Sequence, residues 1–238
     1  MRGLISALCL LLILPGVALA AELPQGVTLQ RNVAYGPDND QKRDIYLPPQ
    51  AKNAPILLMV HGGAWRYGDK GMDRVVDNKL ARWAPKGIIF VSINYRMQPE
   101  APPLVQAEDV ARALAEIQKM APGLGGDPNN VILMGHSAGA HLVALLNADP
   151  KIATDLGAQL WKGVVSLDSG ALDVPQIMEG WHPKLYDEAF GDDPAEWDHH
   201  LRRMPRPDRA GQEDRQPSDR THSQGNEPGE PVARPIPG

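Results

Sequence analysis

Cysteine is nearly absent from this sequence: Cys9 is the only one among 238 residues. A disulfide framework is therefore excluded, and an exported protein of this sequence has only its hydrophobic core to hold it together. Cys9 lies inside an apolar segment rather than at the end of it, which argues against a lipid-modified cysteine.

The sequence also lacks any sustained block of Lys or Arg, and its formal net charge is −5. This balance argues against a nucleic-acid-binding surface and against an electrostatic membrane anchor, so we expect no nucleic-acid partner. A hydrophobic content of 42% and a charged content of 22% are typical of a globular α/β or mixed protein, and the length fits one large domain or two small ones.

A long hydrophobic run is missing as well, because the apolar stretch of residues 4–14 is short for a membrane span of about 20 residues. Arg2 precedes this stretch, and the small residues Ala18 and Ala20 follow it. This order is typical of a signal peptide. We expect residues 1–20 to be cleaved off before Ala21, which leaves an exported, periplasmic or secreted chain without a stable membrane anchor; an uncleaved anchor is the alternative.

Strand-like and helix-like segments alternate from residue 22 to about residue 170. Apolar runs typical of strands occupy residues 44–47, 56–60, 88–93, 131–134 and 164–167, and helical patterns occupy residues 75–83, 104–120 and the segment that ends at Leu146. Residues 123–130 are rich in Gly, Asp, Pro and Asn and predict a loop. The alternation predicts an α/β fold with a mostly parallel sheet.

A serine stands on a sharp turn between a buried strand and an apolar helix, in the segment GHSAG of residues 135–139. Glycine at 135 and 139 removes the side chains that would collide in such a turn. The Ser137 hydroxyl is then expected at the carboxyl edge of the sheet, where the N–H of Ala138 and the helix dipole favour developing negative charge. An inert serine in a tight turn is the alternative.

A second glycine-rich turn, HGGAW of residues 61–65, directly follows the strand of residues 56–60. Acyl transfer needs N–H groups aimed at the oxyanion, and consecutive glycines let the backbone present them without interference from side chains. A simple glycine turn is the alternative here.

These residues together resemble the α/β-hydrolase-fold serine esterases of the carboxylesterase, acetyl-esterase and kynurenine-formamidase-like group. The matching segments fall between about residues 40 and 175 and read DIYLP, ILLMVHGGAW, FVSINYR, DVARAL and DPNNVILMGHSAGAHLVALL, with VVSLDSGALDV as a weaker match. The resemblance implies a mostly parallel sheet with helices on both faces. It also implies serine-dependent hydrolysis of a small acyl-ester substrate, with no metal and no organic cofactor.

By the same resemblance, Ser137 corresponds to the nucleophile, and Gly63, Ala64 and Ala138 correspond to the donors of the oxyanion hole. His61 would orient its loop rather than act as a base. Formamidase, lactonase and peptidase activities stay open, because fold analogy does not choose among substrates.

A serine needs a histidine to take its proton and a carboxylate to orient that histidine, in the chain order serine, acid, histidine. The resemblance implies an acid and a histidine on later strands, but residues 201–238 contain no strand-like run. Asp168, after the run of residues 164–167, is an alternative acid or else a loop carboxylate that caps Ser169. The histidine base is not identified.

The remaining histidines and one tryptophan are weaker candidates. The adjacent His199 and His200 could supply a base or half a metal site, but no further cluster of metal ligands accompanies them. His136 and His141 flank the serine turn and are interpreted as local packing residues. The tryptophan of the HGGAW turn either lines the acyl pocket or packs. These residues are His199 and His200, His136 and His141, His222 in the tail, and Trp65.

The composition changes abruptly after about residue 200. Residues 201–238 are rich in Arg and Pro, contain no aromatic residue, and are expected to be disordered because they cannot bury enough apolar surface. We therefore expect an incomplete hydrolase domain over residues 21–200 that lacks the last strands, its end replaced through a frameshift or truncation. Residues 164–167 would then form an exposed sheet edge that lowers solubility, and a catalytically incomplete hydrolase is the alternative function.

Overall fold

Six strands form the sheet of the computed structural model, which describes residues 23–168 and 171–201. They are β1 Thr28–Ala34, β2 Lys42–Leu47, β3 Ala54–Val60, β4 Ile89–Ile93, β5 Gly126–His136 and β6 Gly163–Leu167. The predicted signal peptide, His222 and the predicted tail from residue 202 onward lie outside the described residues. All described residues belong to one compact unit.

Seven helices accompany these strands in the described ranges. They are α1 Asp73–Trp83, α2 Pro103–Met120, α3 Ala138–Ala148, α4 Lys151–Thr154, α5 Val174–Met178, α6 Lys184–Phe190 and α7 Pro194–Leu201, with short 3-10 turns at Ala84–Lys86 and Ala121–Leu124. Within the described ranges, no helix has both the length and the apolar character that crossing a bilayer requires.

The strand order is β1-β2-β4-β3-β5-β6. Strand β1 pairs antiparallel with β2, and β2 pairs antiparallel with β4. Strands β4, β3, β5 and β6 are all parallel. The predicted α/β fold with a mostly parallel sheet is therefore confirmed.

Both faces of the sheet are covered, which explains the continuous apolar runs of its central strands. In β3, Leu57 and Met59 face the cluster that includes Leu80 of α1. The alternate residues, Leu58 among them, face the cluster that contains Leu142 of α3 and much of α2. A strand buried on both sides cannot alternate apolar with polar residues, so helices on both faces follow from its sequence.

Two parts of the sheet differ from the prediction. The loop expected over residues 123–130 is wrong, because β5 begins at Gly126 and pairs there with Ala54 of β3. Pairing along the neighbouring strand overrides the low strand propensity of its Asp, Pro and Asn residues. Strand β1 has no predicted counterpart, since its residues are exposed or half-buried and give no apolar run.

Strand β6 lies at the end of the sheet and pairs only with β5 among the described strands. Its residues are half-buried, apart from the exposed Ser166. Val164 packs on the α3 side and Val165 on the α1 side, so the edge strand has apolar contacts on both faces. The reduced solubility expected of this edge stays a prediction.

Candidate active site

The carboxyl ends of β3, β5 and β6 meet at one edge of the sheet because these strands are parallel neighbours. The backbone N–H of Ser137, at the end of β5, donates to the carbonyl of Leu167 at the end of β6 over 2.9 Å. On the other side, a Cβ added at Gly62 would lie 2.9 Å from the Cβ of Ser137. The two glycine-rich turns that the sequence singles out are therefore in contact.

The serine turn is as sharp as the sequence predicts. Ser137 is half-buried and has a φ of 52°, in the left-handed region that non-glycine residues rarely adopt. A Cβ at Gly135 would lie 2.2 Å from the carbonyl oxygen of Gly139. A Cβ at Gly139 would lie 2.3 Å from the carbonyl oxygen of Val60. The two glycines therefore let helix α3 start directly against the end of β3.

Left-handed backbone is found after each of these three strands. Ala64 has a φ of 53°, Ser137 of 52° and Asp168 of 52°. Strained backbone of this kind costs on the order of 1–3 kcal/mol per residue and persists where the surroundings enforce it, often at functional sites. Positive φ values also occur at Asn32, Gln50 and Asn53. The strain therefore supports this edge of the sheet as the candidate site together with the two glycine-rich turns that meet there.

The HGGAW loop leaves backbone donors available. Its turn is closed by the N–H groups of Arg66 and Tyr67, which donate to the carbonyl of Gly63 over 3.1 and 2.8 Å. Among the described residues, the N–H groups of Gly63 and Ala64 donate to no backbone carbonyl. Ala138 begins α3, where the first N–H groups have no partner within the helix. All three predicted donors thus lie in the turns that meet here, and their role in an oxyanion hole stays a prediction.

His61 supports this loop from below. It is fully buried, and its Nδ1 donates to the Gly62 carbonyl at 2.9 Å. Its ring stacks on Tyr95 at 4.5 Å, and the Tyr95 hydroxyl donates to the His61 carbonyl at 2.8 Å. Burial lowers the pKa of His61, so the ring is neutral. These contacts fit the predicted loop-orienting role rather than that of a base.

A cavity of about 600 Å³ opens beside Ser137, between the HGGAW loop and helix α1. Trp65 does not line it. Its ring is buried, lies 4.9 Å from Phe190, and its Nε1 donates to Nδ1 of His141 over 3.3 Å. Of the two possibilities for Trp65, packing is the one observed.

Asp168 lies at the expected edge, but it does not hold a histidine firmly. Its Oδ2 lies 3.9 Å from Nε2 of His136. The His136 side chain is 52% exposed and the Asp168 side chain is 92% exposed. That distance is too long for a hydrogen bond, and exposed pairs contribute little. Within residues 23–168 and 171–201, no hydrogen bond joins a histidine ring to the Ser137 hydroxyl.

His141 and His200 belong to the core instead. His141 is fully buried, and burial, with a smaller contribution from His200, lowers its pKa to about 3. The ring of His200 lies 5.3 Å from that of His141 and 4.9 Å from Phe190. Residues His199 and His200 are part of helix α7. The described part of the chain contains no group of three or more side chains able to hold a metal.

The sequence does not reveal the hydrogen-bonded pair of His182 and Asp187. Nε2 of His182 donates to Oδ1 of Asp187 at 2.8 Å, and its Nδ1 donates to the carbonyls of Ile177 and Gly180 at 3.1 and 2.8 Å. The hydrogen bond to Asp187, followed by that to Gly180, raises the pKa of His182. Both ring nitrogens are occupied locally, so this His–Asp pair is a feature of the α5–α6 connection. The spacing of five residues between a loop histidine and an aspartate on the next helix is the signal that could have found it.

Substitution of Gly139 tests the close approach of α3 to β3. We expect Gly139→Ala to lower the free energy of unfolding by about 2–3 kcal/mol, because its Cβ would collide with backbone oxygens. Gly123→Ala is the matched control, since no heavy atom lies within 4 Å of its added Cβ. Urea unfolding followed by tryptophan fluorescence measures both, and equal stabilities would contradict the geometry.

The pH dependence of His182 tests the His182–Asp187 pair. Because its pKa is raised in the folded chain, the pair stabilises the fold below the ordinary histidine pKa of about 6.5, and this contribution is lost as the pH rises through the folded value. An NMR titration should give a pKa above 6.5 that Asp187→Asn moves back down. Asp192→Asn is the control; an unchanged pKa in Asp187→Asn would refute the pairing.

Comparison with known sequences gives one family model, BD-FAE, which matches residues 43–164, just over half of the chain. The chain is 29% identical over 167 residues to the probable isoprenylcysteine alpha-carbonyl methylesterase ICME of Oryza sativa, covering 67% of this chain and 40% of that protein. It is 30% identical over 172 residues to the carboxylesterase NlhH of Mycobacterium tuberculosis, covering 69% of this chain and 51% of that one. The chain thus spans about half, or less, of the length of these relatives.

A solved structure shares the fold. Esterase B of Lactobacillus rhamnosus superposes with a TM-score of 0.57 at 25% identity, covering 75% of this chain and 61% of that one. The family model includes both the HGGAW loop and Ser137. By sequence and by fold, then, this chain belongs to the BD-FAE family and has an α/β-hydrolase fold.

Proposed function

We propose that this protein hydrolyses carboxylic esters of small acyl groups through an acyl-enzyme on Ser137. The observation that carries the proposal is the contact between a serine at positive φ, the HGGAW loop and the end of β6. A serine on such a turn presents its hydroxyl at the sheet edge rather than burying it in the helix. The named relatives, a methylesterase and a carboxylesterase, support an ester carbonyl as the target.

In the proposed reaction, Oγ of Ser137 attacks the ester carbonyl carbon. The N–H groups of Gly63, Ala64 and Ala138 stabilise the oxyanion, helped by the positive end of the α3 dipole. The carbon–oxygen bond to the alcohol breaks, and the alcohol leaves with the proton that the serine gave up. Water then attacks the acyl-serine, which releases the carboxylic acid and restores the hydroxyl.

The alternative is a catalytically incomplete hydrolase that binds esters without turning them over. One observation favours it: among the described histidines, His61 and His141 are buried with lowered pKa values, and the exposed His136 is not held by Asp168. A serine without a base is a weak nucleophile. The two functions differ in whether Ser137 reacts.

Replacement of the serine separates them. For an ester hydrolase, Ser137→Ala should lower the turnover of 4-nitrophenyl acetate and butyrate by at least about a hundredfold, because the acyl-enzyme can no longer form. Ser166→Ala, which alters an exposed serine of β6, should leave the rate unchanged. A fluorophosphonate probe that labels the parent chain but not Ser137→Ala supports the same conclusion. Turnover that persists in Ser137→Ala contradicts the proposed nucleophile, and a parent chain that neither turns over nor labels favours the incomplete hydrolase.

We also propose that the protein is exported after cleavage between Ala20 and Ala21. Support comes from the order of Arg2, the apolar residues 4–14 and the small residues before Ala21. Expression of the full sequence in a bacterial host with periplasmic fractionation should yield a chain that begins at Ala21 by mass spectrometry. Ala20→Leu should block cleavage, because the site accepts only small residues there. An unprocessed parent chain in the cytoplasm would contradict export.

A further inference from the structure

The cavity beside Ser137 has charged side chains of one sign only. Helix α1 contributes Arg74 and Lys79 to its wall, and among its lining residues no aspartate or glutamate appears. The other polar residues of the lining are His136, Ser137 and Tyr67. The lining of this cavity therefore offers a ligand two cations and no carboxylate. The exposed Asp168, 3.9 Å from His136, lies outside the lining.

The carboxylates of the same helix face elsewhere. Asp73 and Asp77, four residues apart and thus on one face of α1, line a separate cavity of about 350 Å³ together with Arg31. Helix α1 therefore has its two acids at one cavity and two of its three cations, Arg74 and Lys79, at the serine cavity. This separation is what an anionic ligand needs, because neighbouring carboxylates would repel it.

The two cations have no acidic partner of their own. Among the described residues, neither Arg74 nor Lys79 forms an ion pair, and Nζ of Lys79 donates only to the carbonyl of Arg74, over 3.2 Å. Lys79 is half-buried, and this burial lowers its pKa. A carboxylate in the cavity would offset the cost of keeping that ammonium group away from water.

The remaining wall is apolar. Met59, Met72 and Val75 lie among the lining residues, together with Ser137 and residues 62–64 of the HGGAW loop. A short aliphatic chain fits such a wall while its two ends meet polar groups.

We propose that the preferred substrates are esters whose acyl part ends in a carboxylate, the monoesters of short dicarboxylic acids. This inference rests on the proposed function of Ser137. The ester carbonyl lies at Ser137, the methylene chain lies along the methionine and valine side chains, and the free carboxylate meets Lys79 and Arg74. Hydrolysis consumes one water, breaks the ester carbon–oxygen bond, and releases the dicarboxylic acid and an alcohol.

A pair of substrates of equal chain length tests this selectivity. We expect kcat/KM for the 4-nitrophenyl monoester of glutaric acid to exceed that for 4-nitrophenyl pentanoate, and the ratio of the two to fall as salt is added. Lys79→Gln should lower this ratio about fivefold to tenfold and Arg74→Gln about threefold, while Lys79→Arg should restore much of it. Arg82→Gln removes the same charge from an exposed position of α1 outside the cavity and should leave the ratio unchanged.

Binding measurements keep this test apart from that of the proposed function. If neither ester is turned over, the proposed function fails, and calorimetry on Ser137→Ala with monomethyl glutarate and methyl pentanoate then decides the charge preference. The inference predicts that Ser137→Ala binds monomethyl glutarate more tightly than methyl pentanoate. The double variant Ser137→Ala/Lys79→Gln should bind the glutarate about fivefold to tenfold more weakly than Ser137→Ala, whereas Ser137→Ala/Arg82→Gln should bind it equally well. The inference is overturned if the ratio, or the affinity, is the same in Lys79→Gln and Arg74→Gln as in their parent.

Discussion

The close approach of helix α3 to strand β3 is the constraint on which the candidate site depends. At Gly139 the helix backbone lies so near the carbonyl groups of Val60 and His61 that an added Cβ would be 2.3 and 2.5 Å from their oxygens. Strand β5 ends at His136 and helix α3 begins at Ala138, directly against β3. The chain therefore turns from strand to helix at a single residue, Ser137. The turn forces the left-handed backbone of Ser137, and this strained conformation holds the side chain at the edge of the sheet.

The order of the strands determines which loops lie beside the Ser137 turn. Parallel strands end at the same edge, so the loops after β3 and β6 lie on either side of the serine without any sequence signal for the contact. On the β6 side, the backbone hydrogen bond from Ser137 to Leu167 holds the turn in place. On the β3 side, Gly62 packs closely against Ser137. The buried His61, stacked on Tyr95, then fixes the HGGAW loop from within the core. A rigid scaffold thus sets the relative position of Ser137 and the three N–H groups proposed as oxyanion donors, and acyl transfer requires donors that are preorganised in this way.

The sequence predicts the parts of this arrangement that are local. Strands buried on both faces are continuous apolar runs, and the glycines at 135 and 139 have one steric reason to be there, so the fold class and the serine turn can be predicted. Strand β1 and the first residues of β5 could not be, because their strand conformation comes from pairing with a neighbour rather than from their own propensity. The packing of Trp65 against Phe190 and the His182–Asp187 pair depend on segments after β6, for which the pattern gives no placement.

The surroundings of Ser137 share one electrostatic character, which neither motif reveals by itself. Gly63 and Ala64 of the HGGAW loop, Arg74 and Lys79 of α1, and Ser137 before the start of α3 line the same cavity, whereas Asp73 and Asp77 line another one. Free N–H groups, a helix N-terminus and cations all contribute positive potential. Asp168, at the end of β6, is almost wholly exposed to water, where its charge is screened. Such a field favours an oxyanion at the proposed nucleophile and an anionic group on the substrate for the same reason. In the proposed reaction the oxyanion meets the N–H groups and the α3 dipole, whereas the substrate carboxylate meets Arg74 and Lys79. A change in one of these two cations should therefore act first on the choice of substrate.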